Sequence, residues 1–364
     1  MSDPFESERA QLAADIAALI DRLADGTRDD AARDALLRRV LRFQKSYVAP
    51  YARIVKHSGL AEADALRWPG VPTDVFRFAR VAAHAAERDV RVFRTSGTTQ
   101  AHRGEHPLRD LSLYDRSARA WAKHMLFPDT ARMRLIVLAP SSAELPDSSL
   151  SYMLDRFEPW FGLADRTRAS VRAMRDGALD LPVLERALRE AERAGEAVAL
   201  LGTSFAFVHA DDGLGAARFA LPPGSRIMQT GGFKGRSREV SPDEMRAMLS
   251  ARYGVPERMI IAEYGMTELC SQLYEAMEPR RLLAPGWVRV SLVHPETLAP
   301  VPDGDEGLVR IDDLANLDTA CAIQTSDRGV RVHDGILVLG RAAGAVPRGC
   351  SIAIDAALSG EGGS

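Results

Sequence analysis

The chain has 364 residues, 46% hydrophobic and 27% charged, with a formal net charge of -3. That balance suits an enzyme with a large buried core and excludes an electrostatic case for a nucleic-acid partner. No apolar run approaches the roughly 20 residues a membrane span needs. The opening Met1-Ser2-Asp3-Pro4-Phe5-Glu6 lacks the basic and apolar regions of a signal peptide, so a cytoplasmic protein is expected. Cys270, Cys321 and Cys350 have no metal-type spacing, in keeping with a reducing compartment.

From about Ser7 to Val48 the pattern is helical, with Leu12, Ile16, Leu19, Ile20 and Leu23 at three- and four-residue spacing and a second such stretch from Ala31 to Phe43. Arg67-Trp68-Pro69-Gly70-Val71-Pro72 is turn-rich. Val90–Phe93 reads as a strand entering the polar loop Thr95-Ser96-Gly97-Thr98-Thr99, and Ser112 to Met125 reads as the helix after it. Leu135–Pro140 and Ala197–Gly202 are short apolar runs that suit strands buried on both faces. Their alternation with helices near Leu181–Arg193 and Pro242–Arg252 predicts α/β layering with parallel pairing. After Pro279 short strands are expected at Gly286–Val293, Gly307–Ile311, Gly329–Val332 and Ile336–Leu339. The organisation expected is a helical region over 1–89, an α/β core over 90–278, a β-rich subdomain over 279–340 and a short remnant over 341–364.

Two strings carry chemistry. In Thr95-Ser96-Gly97-Thr98-Thr99 the glycine lets the backbone approach an anion, while hydroxyls and successive amides can donate to phosphate oxygens. The bland alternative is a polar turn after a strand. Roughly 170 residues later comes Tyr264-Gly265-Met266-Thr267-Glu268, which offers an aromatic face for a purine and a hard carboxylate suited to Mg²⁺. Between them, Gly231 and Gly232 permit close backbone approach, and Lys234 follows.

In this order and at this distance the strings resemble the adenylate-forming superfamily, which activates carboxylic acids with ATP. The resemblance implies the large N-terminal domain of that fold, with layered α/β subdomains and a β-rich one. It assigns Thr95, Ser96, Gly97, Thr98 and Thr99 to phosphate, with Arg103 the local substitute for a lysine that relatives place after the loop. It gives Gly231, Gly232 and Gly265 to the adenine and acyl pocket, Tyr264 to stacking on adenine, Thr267 to the α-phosphate and Glu268 to Mg²⁺. Asp327, in Ile323-Gln324-Thr325-Ser326-Asp327, takes the position of the family's ribose-binding aspartate, although Ser326 replaces the usual glycine. Gly340-Arg341 matches the hinge that leads to a small C-terminal domain, yet 23 residues follow Arg341 and no lysine follows Lys234. A truncated small domain without its usual lysine is therefore expected.

That feature, with Gly231-Gly232-Phe233-Lys234 and the ending Arg348-Gly349-Cys350-Ser351, is similar to acyl-protein synthetases of the bacterial luminescence type. The resemblance implies that Cys350 takes the acyl group from acyl-AMP and passes it to a reductase or carrier-protein partner, with a long-chain fatty acid the favoured substrate. Arg341 and Arg348 are expected to favour the thiolate. Cys270, in a helix expected after Glu268, and Cys321 read as small core residues. His102 and His106 flank Arg103 and read as surface residues or as contacts to pyrophosphate or a carboxylate, and His209 as a helix end or acyl-pocket residue. Two rival readings stand beside this one: a phenylacetate-type acyl-CoA ligase and a non-catalytic nucleotide-binding scaffold.

Overall fold

A computed structural model describes residues 3–96, 103–231, 240–342 and 348–359. The chain divides into two compact units, one of Met1–Trp121, Met266–Leu273 and Pro279–Ser364, the other of Ala122–Gly265 and Tyr274–Glu278. This grouping differs from the four consecutive stretches expected from sequence.

The reason is visible inside the first unit. Its helices Pro4–Arg22 and Asp30–Tyr47 start where Asp3 accepts the Phe5 N–H and Asp29 the Ala32 N–H, each at 3.0 Å. The buried stripe of the first is Leu12, Ile16, Leu19 and Ile20, as its spacing predicts. The second buries a polar residue as well: Gln44 donates to the carbonyls of Asn316 (2.7 Å) and Leu317 (2.9 Å) and accepts the Cys321 N–H (2.9 Å). Arg9 holds Asp318 through two bonds of 2.6 Å. The N-terminal helices thus share a satisfied buried polar joint with a loop almost 300 residues away, and separating them would orphan several groups at about 1–3 kcal/mol each.

The same unit carries an antiparallel sheet in the order Val288–Val293, Gly307–Asp313, Ala322–Val332, Gly335–Arg341 and Arg281–Leu283, with Val71–Pro72 added in parallel to Ala322–Val332. Asp327 therefore lies within a strand. The strand Arg91–Arg94 pairs with Glu105–Leu108, so the glycine loop joins the arms of a hairpin, whereas the sequence reading runs from strand through loop to helix. The helix Ser112–Met125 follows only after the second arm.

The second unit is a parallel sheet ordered Ile260–Tyr264, Arg226–Thr230, Val198–Thr203, Arg134–Leu138 and Val171–Arg172. The helices Leu181–Ala194, Ser204–Gly213 and Pro242–Tyr253 belong to it, and the core they share includes Ile136, Leu188, Leu200, Phe207, Ile227 and Leu249. Strand Val198–Thr203 turns straight into the next helix because Thr203 caps it, its hydroxyl accepting the Ala206 N–H at 3.1 Å. Parallel pairing brings the C-terminal ends of these strands to one edge, where open α/β sheets bind ligands.

Candidate active site

The base of the glycine loop is tightly laced. Beyond the paired positions Phe93 and His106, and Arg94 and Glu105, the Thr95 N–H donates to the Gly104 carbonyl (3.0 Å) and the Gly104 N–H to Thr95 Oγ1 (2.9 Å). Arg103 turns back on the loop, its Nε donating to the Thr95 carbonyl at 2.6 Å and its Nη2 to the Arg94 carbonyl at 3.1 Å. In this structure Arg103 braces the mouth of the loop. Gly97, Thr98, Thr99 and His102 lie outside the described residues, as do Gly232 and Lys234.

Downstream, the residues after Thr267 form a turn leading into the strand Leu273–Ala276, where the sequence reading places a helix. Asp313 explains the difference. Its carboxylate accepts the N–H groups of Cys270 (3.0 Å) and Ser271 (2.7 Å), the Ser271 hydroxyl (2.7 Å) and the Ala315 N–H (3.0 Å). Amides held this way are not offered to helical carbonyls.

The carbonyls of the same turn are held too. Asn316 Nδ2 donates to the Glu268 carbonyl at 2.7 Å, and His106 Nδ1 to the Thr267 carbonyl at 2.7 Å. The Ser271 hydroxyl also meets the Ser117 hydroxyl at 2.7 Å, to which the buried Trp287 indole donates at 2.9 Å. Thr267 and Glu268 thus sit on a rigid backbone, and the Glu268 side chain is buried. Among the described residues no group of three or more His, Cys, Asp or Glu is placed to hold a metal.

At the strand ends of the second unit, Thr230 stands opposite both Thr203 and Glu263. The Thr230 hydroxyl donates to the Glu263 carboxylate. Burial pushes Glu263 up to about 7, against the lowering effect of that bond. Ser204 Oγ reaches Gln229 Oε1 and the Gly231 carbonyl (2.8 Å), and Gly231 has φ +74°, in the region that favours glycine. Tyr264 is half-buried and Gly265 exposed. His209 is exposed on the helix Ser204–Gly213, its ring stacked with Phe205.

In the antiparallel sheet Asp327 and Arg341 are paired positions on adjacent strands, with Arg341 Nε 3.6 Å from Asp327 Oδ1. The two residues assigned to ribose and hinge are therefore neighbours.

The acyl-protein synthetase model LuxE matches residues 52–359. The chain belongs to the LuxE acyl-protein synthetase family. No curated protein matches the sequence. Among solved structures, 2-hydroxyisobutyryl-CoA ligase is similar in fold. Its open form with 2-HIB-AMP and CoA has TM-score 0.63 and 13% identity, over 88% of this chain and 77% of that one. Its postadenylation state with R3-HIB-AMP also has TM-score 0.63, with 15% identity, over 86% of this chain and 67% of that one. The fold is thus that of the adenylate-forming acyl-CoA ligases, as the motifs predict.

Cys350 is the residue that the sequence reading expects to take the acyl group. It lies at the start of the helix Arg348–Leu358, buried in a cluster with Val293 and Leu308 and packed by Leu298 and Ala342. Burial, with Asp74 contributing, pushes its thiol up to about 11. This is the reverse of the activation expected from Arg341 and Arg348. The Arg341 side chain is 81% exposed and turned to Asp327, and the Arg348 side chain lies outside the described residues. Cys270 and Cys321 are buried core thiols with values raised well above the ordinary range by burial.

Asp313, Asn316 and Glu263 are the site residues that sequence reasoning passes over, and His106, expected at the surface or on pyrophosphate, is instead fully buried with both ring nitrogens bonded within the protein. His106 lies on a strand of four residues, too short for periodicity to show which face it takes.

Proposed function

We propose that this chain activates a carboxylic acid with ATP and loads the acyl group onto Cys350. A carboxylate oxygen attacks the α-phosphorus, the bond to the β-phosphate oxygen breaks, and pyrophosphate leaves. The Cys350 thiolate then attacks the acyl carbonyl of the mixed anhydride, forming a thioester and releasing AMP. Thr95, Ser96, Gly97, Thr98, Thr99 and Arg103 receive the phosphates. Tyr264 stacks on adenine beside Gly231, Gly232 and Gly265, Thr267 meets the α-phosphate, and Asp327 with Arg341 takes the ribose.

Glu268 suits Mg²⁺, which takes one or two carboxylates and completes its octahedron with phosphate and water oxygens. When bound, the ion neutralises charge on the triphosphate. Membership of an acyl-protein synthetase family and likeness to a ligase whose structures hold acyl-adenylates support the reading. A long-chain fatty acid as substrate and an acyl reductase or carrier protein as partner complete it. Among the described residues no helix is long and apolar enough to cross a membrane.

The observation that carries the proposal is the turn at Thr267 and Glu268, whose two carbonyls are fixed by side chains from elsewhere in its own unit. Preorganised placement is what charge stabilisation in phosphoryl and acyl transfer requires. Acid-dependent ATP–pyrophosphate exchange tests it. Wild type should exchange, and Thr267→Ala and Glu268→Gln should each lose about 100-fold or more. Exchange unaffected by both substitutions would remove the assignment.

A second reading, coenzyme A as acceptor, is favoured by one observation: Cys350 is 2% exposed and its thiol is disfavoured as an anion. CoA thioester formed at wild-type speed by Cys350→Ser would decide for it.

A further inference from the structure

His106 makes two hydrogen bonds that fix its chemistry. A carbonyl oxygen only accepts, so the bond from Nδ1 to the Thr267 carbonyl at 2.7 Å places the ring proton on Nδ1. The other nitrogen is then the acceptor, and the Thr319 hydroxyl donates to Nε2 at 2.9 Å. The ring is 0% exposed, and burial pushes it down to about 4, so the neutral form with this tautomer persists through the working pH range. Phe76 meets the ring edge-on at 6.1 Å.

Its position in the chain gives the contact a second meaning. Opposite Phe93, His106 is two residues from Gly104, which is bonded in both directions to Thr95 at the base of the glycine loop. A continuous ladder therefore runs from the loop base to the imidazole and from there, through one bond, to the backbone of Thr267. Asp313, at the end of the strand Gly307–Asp313, and Asn316, just after it, fix the remainder of the turn, and neither connects it to the hairpin.

We propose that His106 is a positioning residue for adenylation, registering the Thr267 turn against the base of the glycine loop through a neutral, Nδ1-protonated imidazole. The inference rests on the adenylation reading for its catalytic part, because Thr267 is there the α-phosphate ligand. His106 touches no reacting atom. Losing it should misplace the Thr267 side chain by a fraction of its own length, which is costly only in the transition state.

His106→Leu keeps the approximate volume and removes both bonds, while His106→Asn puts an amide N–H where Nδ1 stands. For ATP–pyrophosphate exchange, His106→Leu should lower kcat by about 100-fold with KM for ATP little changed. His106→Asn should recover most of that loss. Equal losses in the two variants, or wild-type kcat in His106→Leu, would overturn the proposal.

An activity-independent readout accompanies these assays: long-range ¹H–¹⁵N spectra of the ring should show the Nδ1–H tautomer without titration between pH 6 and 8. A ring that titrates in that range, or carries its proton on Nε2, ends the proposal whatever the activity. Wild-type protein that exchanges with no acid yet shows the Nδ1–H tautomer would overturn the adenylation reading and leave the structural tie standing.

Discussion

Moving the Cys350 thiol from its ordinary 9.0 to about 11 makes the thiolate, the attacking species, roughly 100-fold scarcer at neutral pH. Gly349 is the place to perturb it. A Cβ there would stand 2.8 Å from Leu298 Cγ and 2.9 Å from the carbonyl oxygens of both Glu296 and Pro295. Two of those three neighbours are backbone, and the Gly349 N–H donates to the same Pro295 carbonyl at 3.1 Å. Gly349→Ala should therefore lift the start of the helix Arg348–Leu358 and expose the thiol. In iodoacetamide labelling at pH 7.5, read by peptide mass spectrometry, wild-type Cys350 should react about 100-fold more slowly than a free thiol, and Gly349→Ala should recover most of that factor. Cys270 and Cys321, 1% and 0% exposed, serve as unlabelled internal references.

The pH dependence has a definite sign. The folded value lies above the unfolded one, so the seating of Cys350 is at full strength below about pH 9 and weakens as pH rises through 11. The loss is about 1.4 kcal/mol at pH 10. Wild-type Cys350 labelling at the free-thiol rate, or an unchanged rate in Gly349→Ala, would refute the reasoning.

Three further outcomes follow from buried groups. Glu263, pushed up to about 7 by burial, contributes stability that is fully present below its ordinary 4.5 and lost as pH rises through 7. Glu263→Gln should then flatten the fall in Tm between pH 6 and 8.5, with a gain on the order of 3 kcal/mol at pH 8. Asp313→Ala orphans the Cys270, Ser271 and Ala315 N–H groups and should cost several kcal/mol, at about 1–3 kcal/mol per buried donor, seen as a lower urea midpoint. Arg246 and Glu275 form a buried pair, so Arg246→Leu should destabilise by about 3–5 kcal/mol, whereas the double replacement by apolar residues should be milder.

Elements with strong periodicity were legible in the amino-acid order. The helices Ser112–Met125 and Leu181–Ala194 and the strands Arg134–Leu138 and Val198–Thr203 fall within a few residues of their expected places, because each buries a continuous face or run. The motifs named the fold for the same reason that they name chemistry, since few backbones need that glycine and hydroxyl pattern. What stayed hidden depends on partners distant in sequence. The helix expected after Glu268 is displaced by the Asp313 carboxylate, 42 or 43 residues away, and nothing local announces that competition. The joint from Gln44 to Cys321 spans 277 residues, which is one reason the two compact units are not consecutive stretches of chain. Arg341 and Cys350 are close in sequence, yet direction decides the electrostatics, and the guanidinium turns toward Asp327.

Intact mass spectrometry tests the central claim most directly. Wild type and Cys350→Ser would be incubated with ATP, Mg²⁺ and a panel of carboxylic acids. The account predicts an ATP-dependent mass increase of one acyl group on wild type alone, removable by hydroxylamine, with the preferred acid read from the added mass. An adduct of equal yield on Cys350→Ser, or no adduct on a wild type that performs acid-dependent pyrophosphate exchange, would contradict acyl transfer to this cysteine.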